Sequence, residues 1–382
     1  MLAENYHSAL VEQIKADDFS FRSGRLTVHL AREFGFCYGV DRAVDYAYQT
    51  RERFPDRRVF LTGEIIHNPH VNEKLRAMGI QFIGPGEDDV DALGKDDVVI
   101  LPAFGVTVGV LQRLDRRGCT LIDTTCGSVL NVWKNVRRYA EGGYTSVIHG
   151  KVWHEETQAT ASQAVAYGGR YLVVLDRREA ARACDLIRRS SSESGGSDQS
   201  AVVEGFGGAA SPGFEPERDL QRIGLANQTT MLMSESLEIG EMFKTAMLER
   251  HGAAALDSHF QAFDTICSAT QDRQDAVVAL LREQPVDLVI VIGGYNSSNT
   301  CNLARICSAS RPTFHIADPD CLVSAEEIRH RPVGSKMEVI ATPWLPRHET
   351  VTVGLTSGAS TPDNLVGAVV AKLSEFTRLP AS

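Results

Sequence analysis

The sequence predicts an α/β protein in which most strands run parallel. Short runs rich in valine, isoleucine and leucine alternate along the chain with amphipathic segments of helical period. The clearest of these runs are RVFL at 58–61, DVVIL at 97–101, YLVVL at 171–175 and DLVIVI at 287–292. Such strand–helix alternation is typical of α/β domains with parallel sheets. At 382 residues the chain is too long for one compact core, so we expect two or three domains.

Three cysteines lie between strand-like and helical patterns. FGFC ends at Cys37, DTTC at Cys126 and DTIC at Cys267, and a helical pattern follows each of them. A helix N-terminus stabilises a thiolate, which is the form of cysteine that binds iron. Three thiolates could hold a [4Fe–4S] cluster and leave its fourth iron without a protein ligand. The alternative is that these are ordinary buried cysteines.

Composition and charge exclude several classes of protein. The net charge is −10 and no basic stretch stands out, which argues against a nucleic-acid partner. The chain shows no export signal and no run of about 18 apolar residues, so we expect a cytoplasmic protein without a membrane partner. Its eight cysteines are then expected to be reduced. The chain contains no C-x-x-C pair, which argues against a zinc ribbon.

Polar segments follow several of the predicted strands. Gly-rich polar turns between a strand and a helix bind anions through N–H groups and hydroxyls. His154 and Glu156 together offer a proton donor and a carboxyl group. For each motif alone, a helix cap or a structural histidine is the alternative. The segments are EIIHNPHVNEKL with His67, HGKVWHEETQAT with His154 and Glu156, ANQTTM with Thr229, GGYNSSNTCN with Ser297, Ser298 and Asn299, and TSGASTPDNL with Ser360.

Together these segments resemble one family, the 4-hydroxy-3-methylbut-2-enyl diphosphate reductases. These are the last enzymes of the methylerythritol phosphate route to isoprenoids. The resemblance covers about residues 27–376, and the sequences of its motifs are most similar to those of the plant and cyanobacterial branch. It rests on motifs in family order: GFCYGVDRAV, EIIHNPHVNEKL, VILPAFGV, DTTCGSVLNVWK, SVIHGKVWHEETQATAS, LANQTTML, DTICSATQDRQDAV, GGYNSSNTCNL and VGLTSGASTPDNLV.

The resemblance implies a role for each site residue. It implies three cluster ligands, Cys37, Cys126 and Cys267, and a catalytic Glu156 supported by Thr229 and His154. The diphosphate-binding residues that it implies are His67, His154, Thr229, Ser297, Ser298, Asn299 and Ser360. Two departures stand out: Phe104 replaces a histidine of many bacterial members, and Gly127 replaces a proline after the second ligand.

The resemblance also implies the domain organisation. The family fold consists of three α/β units in pseudo-threefold arrangement around a central iron–sulfur cluster. We expect an N-terminal arm at 1–26 and three units at 27–125, 126–262 and 263–382. The Ser- and Gly-rich segment 190–222 is interpreted as a flexible surface insertion in the second unit.

The expected activity is reductive dehydroxylation of the allylic diphosphate to isopentenyl and dimethylallyl diphosphate. Ferredoxin or flavodoxin is the expected electron donor, and the chain is expected to be a monomer or a homodimer. Two other functions stay open: a three-cysteine [4Fe–4S] hydro-lyase, and a non-catalytic iron–sulfur sensor. A requirement for reductant separates the first from the reductase, and nucleic-acid binding would indicate the second.

Overall fold

The computed structural model of the protein describes residues 5–86, 88–189, 206, 208–263 and 265–377. It confirms the α/β class. The strands are β1 (Ser20–Ser23), β2 (Leu26–Leu30), β3 (Val59–Thr62), β4 (Ile80–Ile83), β5 (Val98–Leu101), β6 (Thr120–Asp123), β7 (Thr145–His149), β8 (Tyr171–Val174), β9 (Ile223–Asn227), β10 (Phe260–Ala262), β11 (Leu288–Ile292), β12 (Thr313–Ile316), β13 (Ile328–His330), β14 (Val339–Ala341) and β15 (Val351–Ser357).

The helices separate most of these strands, as the sequence predicts. They are α1 (Ala9–Ala16), α2 (Tyr38–Arg53), α3 (Pro69–Ala77), α4 (Val108–Arg117), α5 (Gly127–Glu141), α6 (Glu155–Ala166), α7 (Arg177–Arg189), α8 (Pro216–Asp219), α9 (Met233–His251), α10 (Leu256–His259), α11 (Ser268–Glu283), α12 (Ser298–Ser308) and α13 (Asp363–Thr377). In the described ranges, no helix combines the length and apolarity needed to cross a bilayer.

The chain divides into two compact units. Unit 1 comprises the described parts of Met1–Glu52, Ile66–Gly79 and Ser268–Ser382, and unit 2 comprises those of Arg53–Ile65 and Ile80–Cys267. Unit 1 contains one large sheet and unit 2 contains two. The predicted division into units at 27–125, 126–262 and 263–382, with their pseudo-threefold arrangement, stays a prediction.

The sheet of unit 1 has the order β1-β2-β15-β11-β12, and only β1 is antiparallel to its neighbour. Alternate residues of β11 point to opposite faces. Ile290 and Ile292 pack in the same cluster as residues of α1 and α13, whereas Val289 and Val291 pack in the same cluster as residues of α11 and α12. Because both faces are covered, β11 is apolar throughout, as expected of a central parallel strand. The N-terminal arm belongs to this sheet through β1.

Unit 2 contains two four-stranded parallel sheets, β4-β3-β5-β6 and β10-β9-β7-β8. The second sheet packs on α7 and α9 on one face, and Val132 and Val136 of α5 cover the other. Parallel strands end at the same edge of a sheet, so the loops after β5 and β6, and after β7, β9 and β10, collect at two such edges.

The predicted insertion 190–222 is partly described. Residues 190–205 and 207 lie outside the described residues, as does Asp264 of the DTIC motif. The rest of the insertion contains α8 and a bridge between Ala210 and Leu172. Phe214 and Leu220 are buried in the core of unit 2. This described part is therefore packed against the sheet, which differs from the interpretation of a surface loop, because two apolar side chains anchor it.

Candidate active site

The polar loops of unit 1 collect at the carboxyl ends of β2, β15 and β11. These three strands are parallel neighbours, and the loops that follow them are 31–37, 358–362 and 293–297. Cys37 is the last residue before α2 and is half-buried. Its amide donates to the carbonyl of Ala359 at 3.2 Å. The structure thus brings the first predicted ligand against the loop that carries Ser360.

The predicted anion-binding residues of unit 1 are all buried, namely His67, Ser297, Ser298, Asn299 and Ser360. Asn299 accepts the Ala359 amide at Oδ1, 3.0 Å away. Ser360 donates its hydroxyl to the His67 carbonyl at 3.4 Å. Ser297 caps α12 by accepting the Thr300 amide at 3.3 Å, so the oxygen of this hydroxyl serves as the helix cap.

One donor in this cluster is left over. Asn299 Nδ2 is buried and has no hydrogen-bond partner among the described residues. A buried amide without a partner is costly, so such a group in a folded protein calls for a ligand or water. It lies at the N-terminus of α12, where the helix dipole favours negative charge. These groups fit a bound phosphate oxygen.

Glycine lets two of these loops approach closely. A Cβ atom on Gly294 would lie 2.2 Å from the His67 carbonyl oxygen, a distance that no side chain tolerates. Gly293 has φ +145°, a conformation that favours glycine. The GGYN turn after β11 therefore needs both glycines to reach the His67 segment.

Cys126 lies at the end of the loop after β6 in unit 2. It is the N-cap residue of α5, yet its side chain forms no capping hydrogen bond. Its amide donates to the Ala103 carbonyl at 3.0 Å, in the loop after β5. Gly127 is the first helical residue, a position that suits proline, and a Cβ atom there would meet nothing within 4 Å. The replacement of proline by glycine therefore leaves the helix start intact.

A hydrogen-bonded chain connects Glu156 to Cys267 through a single residue. Glu156 is 2% exposed, and its Oε1 accepts the Thr229 amide at 2.6 Å. The Thr229 carbonyl in turn accepts the Cys267 amide at 3.1 Å. Cys267 directly precedes α11. The carboxyl group that the sequence singles out is thus joined by backbone bonds to the third predicted ligand.

His154 is the N-cap residue of α6. Its Nδ1 accepts the Glu156 amide at 3.2 Å, so the neutral imidazole carries its proton on Nε2. Phe104 packs edge-to-face on this ring, with centroids 5.5 Å apart. Phe104 follows Ala103, which accepts the Cys126 amide. The residue that departs from the bacterial pattern therefore contacts His154.

The three cysteine amides share one arrangement. Each cysteine ends the loop after one strand and donates its amide to a carbonyl in the loop after the neighbouring strand. The pairs are Cys37 with Ala359, Cys126 with Ala103, and Cys267 with Thr229. The prediction that all three lie at strand-to-helix junctions is confirmed.

The chemistry of these thiols fits iron. All three are half-buried, and none forms a disulfide bond. Burial instead raises the pKa of Cys184 to about 12 and that of Cys307 to about 12, which disfavours the thiolate that a metal needs. Cys321 is also buried. The predicted trio differs from these inert cysteines in exposure and in its place at a helix start.

Two further residues organise the site without having been assigned from the sequence. The Gln228 Oε1 accepts the Lys151 amide at 3.1 Å and the Thr157 hydroxyl at 3.2 Å, which ties the start of α6 to the end of β9. Asn68 caps α3 and donates to the Ser360 carbonyl. An Asn-Pro pair indicates a helix start, but the bond to a residue so distant in sequence has no local signal.

Comparison with known proteins gives consistent matches. The profile of a family described as "LytB protein" matches residues 28–374. A relative from Gloeobacter violaceus is 49% identical over 382 aligned residues, which cover 98% of this chain and 89% of the relative. Another, from Synechococcus sp. strain RCC307, is 48% identical and covers 98% of this chain and 90% of the relative. Both are named 4-hydroxy-3-methylbut-2-enyl diphosphate reductase.

Two solved structures are also similar. One is of (E)-4-hydroxy-3-methyl-but-2-enyl diphosphate reductase, described as the terminal enzyme of the non-mevalonate pathway. It is 25% identical, covers 91% of this chain and 99% of its own, and gives a TM-score of 0.55. The other, the E-1-hydroxy-2-methyl-but-2-enyl-4-diphosphate reductase from Plasmodium falciparum, is 20% identical and shares the fold, with a TM-score of 0.63 over 92% of this chain and 88% of its own.

Proposed function

This chain belongs to the LytB protein family, and from that membership we infer that it is an enzyme, a 4-hydroxy-3-methylbut-2-enyl diphosphate reductase. It converts its substrate to isopentenyl and dimethylallyl diphosphate in the last step of the methylerythritol phosphate route. The reaction takes up two electrons and two protons, breaks the bond between C4 and its hydroxyl oxygen, and releases water. The allylic unit keeps its diphosphate.

We propose that Cys37, Cys126 and Cys267 hold a [4Fe–4S] cluster. The support is their exposure, their position at helix starts and the arrangement that their amides share. When bound, the cluster supplies single electrons and a Lewis-acidic iron. The amides of the three cysteines are already bonded to loop carbonyls, so backbone bonds hold each cysteine in place.

The diphosphate is bound, in this proposal, by His67, His154, Thr229, Ser297, Ser298, Asn299 and Ser360. The buried Nδ2 of Asn299 is the observation that supports an anion in unit 1. In unit 2, His154 is the imidazole that we assign to the diphosphate, and the bond from the Glu156 amide to its Nδ1 fixes the ring. Hydroxyl, amide and imidazole donors of this kind would let a chain of net charge −10 bind a diphosphate.

Glu156 is the proposed proton donor to the leaving hydroxyl. The single observation that supports this role best is its buried bond to Thr229, whose carbonyl holds the Cys267 amide. This bond to the Thr229 amide fixes the orientation of the carboxyl group that we assign to proton transfer. A positioned carboxyl group in a site that excludes water is an effective general acid.

The first test is purification without oxygen, followed by iron, sulfide and visible absorption measurements and an assay with the allylic diphosphate. We expect a brown protein with about four irons, the content of a [4Fe–4S] cluster, that consumes the substrate only when a reductant is present. Turnover without reductant would indicate the hydro-lyase instead. A brown protein without turnover would favour the sensor, and one that stays colourless after reconstitution would contradict the ligand assignment.

Several finer points complete the proposal. Ferredoxin or flavodoxin is the proposed electron donor, and similarity to cyanobacterial relatives favours ferredoxin. A cytoplasmic location and a monomeric or homodimeric state stay predictions. Turnover with each purified donor protein and sedimentation of the intact enzyme would test the donor and the oligomeric state.

A further inference from the structure

The 358–362 loop connects a proposed cluster ligand to the proposed diphosphate site. Ala359 accepts the Cys37 amide at 3.2 Å and donates its own amide to Asn299 Oδ1 at 3.0 Å. Ser360, the next residue, donates its hydroxyl to the His67 carbonyl at 3.4 Å. A shift of this loop would therefore move Cys37 relative to Asn299 and His67.

Asn68 is hydrogen-bonded to this loop. Its Nδ2 donates to the Ser360 carbonyl at 2.8 Å, and its Oδ1 accepts the Val71 amide at 3.3 Å at the start of α3. The residue is 1% exposed. Because backbone groups engage both ends of the carboxamide, the side chain is suited to fixing the loop rather than to binding a ligand.

The two bonds place different demands on the side chain. Capping α3 needs only an acceptor, which aspartate and serine also provide. The Ser360 carbonyl needs a donor at the same time. An aspartate of nearly the same size would keep the cap and turn a carboxylate oxygen toward that carbonyl, so the loop bond would be lost and replaced by repulsion. Asn68→Asp therefore separates the loop bond from the helix cap.

Close contacts leave the His67 segment and the loop after β15 little room to shift if the bond from Asn68 is lost. The His67 carbonyl lies so close to Gly294 that a Cβ atom there would approach it to 2.2 Å. A Cβ atom on Gly358 would likewise lie 1.9 Å from the Thr300 hydroxyl. The His67 segment and the 358–362 loop are thus confined by the backbone and side chains that follow β11.

We propose that Asn68 is a positioning residue that sets the 358–362 loop for diphosphate binding and for the placement of Cys37. It acts through Ser360 and Ala359 and touches neither the substrate nor the cluster. The inference rests on the proposed function and adds a residue to which that function gives no role. It predicts that a single carboxamide influences both the affinity for diphosphate and the spectroscopic signature of the cluster.

The test compares the cluster-loaded wild type with Asn68→Asp and with a control, Asn364→Asp. Asn364 also lies in unit 1 and donates to a backbone carbonyl at 3.0 Å, but that carbonyl belongs to Asn5 of the N-terminal arm rather than to the loop. We expect Asn68→Asp to bind inorganic diphosphate about tenfold or more weakly and to raise KM by a similar factor, with a smaller change in kcat. The electron paramagnetic resonance signal of the reduced, substrate-free protein should shift. The control should match the wild type in all four measurements.

Unchanged diphosphate affinity together with an unchanged resonance signal in Asn68→Asp would overturn the inference. So would equal effects in both variants, since these would report added charge rather than the loop. If Asn68→Asp does not fold, Asn68→Ser keeps the cap without reaching the carbonyl, and the same results are expected of it. A wild type that binds diphosphate but does not turn over the allylic substrate would count against the proposed function instead.

Discussion

At the scale of single residues, Glu156 and His154 each use one side-chain atom in a hydrogen bond within the fold. Glu156 uses Oε1 for the Thr229 amide, and His154 uses Nδ1 for the Glu156 amide. Glu156 is the side chain assigned to proton transfer, and His154 is one of those assigned to the diphosphate. These two hydrogen bonds fix the orientation of each side chain before any ligand binds.

The role of Glu156 predicts a specific defect in Glu156→Gln. The amide keeps an oxygen for the Thr229 bond but has no acidic proton, so turnover should fall about 10²-fold or more. Iron content and visible absorption should stay as in the wild type. Glu155→Gln removes a neighbouring charge in the same first turn of α6 and serves as the control. Near-normal turnover in Glu156→Gln would contradict the assignment.

The contact between Phe104 and His154 predicts a change mainly in substrate affinity. An edge-to-face aromatic pair contributes about 0.5–1.5 kcal/mol, so Phe104→Leu should raise KM by about two- to tenfold. The effect on kcat should be smaller, because Glu156 keeps its bond to Thr229. Phe104→Tyr keeps the ring and should behave as the wild type in steady-state assays. A loss confined to kcat would show that Phe104 does not act through His154.

At the scale of elements, the site depends on loops that follow parallel neighbours. Each cysteine loop is bonded to the loop after the adjacent strand, and in unit 1 Asn299 at the start of α12 accepts the Ala359 amide of the loop that contains Ser360. Such an arrangement requires close approach of backbone to backbone. Glycine supplies that approach where the turn after β11 meets the His67 carbonyl.

Gly294→Ala tests this close approach. The added Cβ must push the two loops apart, so we expect destabilisation of about 1–3 kcal/mol and a clear loss of diphosphate affinity. Denaturant unfolding and titration with inorganic diphosphate would measure both effects. Gly94→Ala is the matched control, because a Cβ there meets nothing within 4 Å. Equal behaviour of the two variants would mean that the loops tolerate separation.

At the scale of the whole molecule, buried histidines make stability depend on pH. Burial lowers the pKa of His149 to about 4 and that of His315 to about 4, from an ordinary value of 6.5. His315 belongs to unit 1 and His149 to unit 2. Each unit therefore contains a histidine that stays neutral while the unfolded chain would already take up a proton.

The sign of this effect follows from proton linkage. Above about pH 6.5 neither state binds the extra protons. As pH falls toward 4, only the unfolded state does, so the free energy of unfolding drops. Each histidine should account for a loss on the order of 3 kcal/mol over that range. Unfolding in denaturant at a series of pH values would measure the loss, and His149→Gln and His315→Gln should each flatten the curve. Unaltered curves in these variants would contradict the prediction.

The sequence was informative where local pattern determines structure. Apolar runs such as 287–292 predict a strand that the fold confirms, and the cysteines lie at helix starts as their flanking patterns indicate. The pairing of β2 with β15 joins segments more than 300 residues apart, so no local signal exposes it. Phe214 and Leu220 are buried although their surroundings are rich in glycine and serine. Asn68 and Gln228 were not assigned roles because their partners exist only in the folded chain.

The shared arrangement of the cysteine amides has a consequence for oxidative damage. The bonds that hold Cys37, Cys126 and Cys267 run to carbonyls of the chain itself, not to metal or sulfide. Oxygen that destroys a cluster would therefore leave these loops tied as before, with the thiols still at their helix starts. If the three cysteines hold the proposed cluster, its repair would then require fresh iron, sulfide and electrons but no rebuilding of these loops.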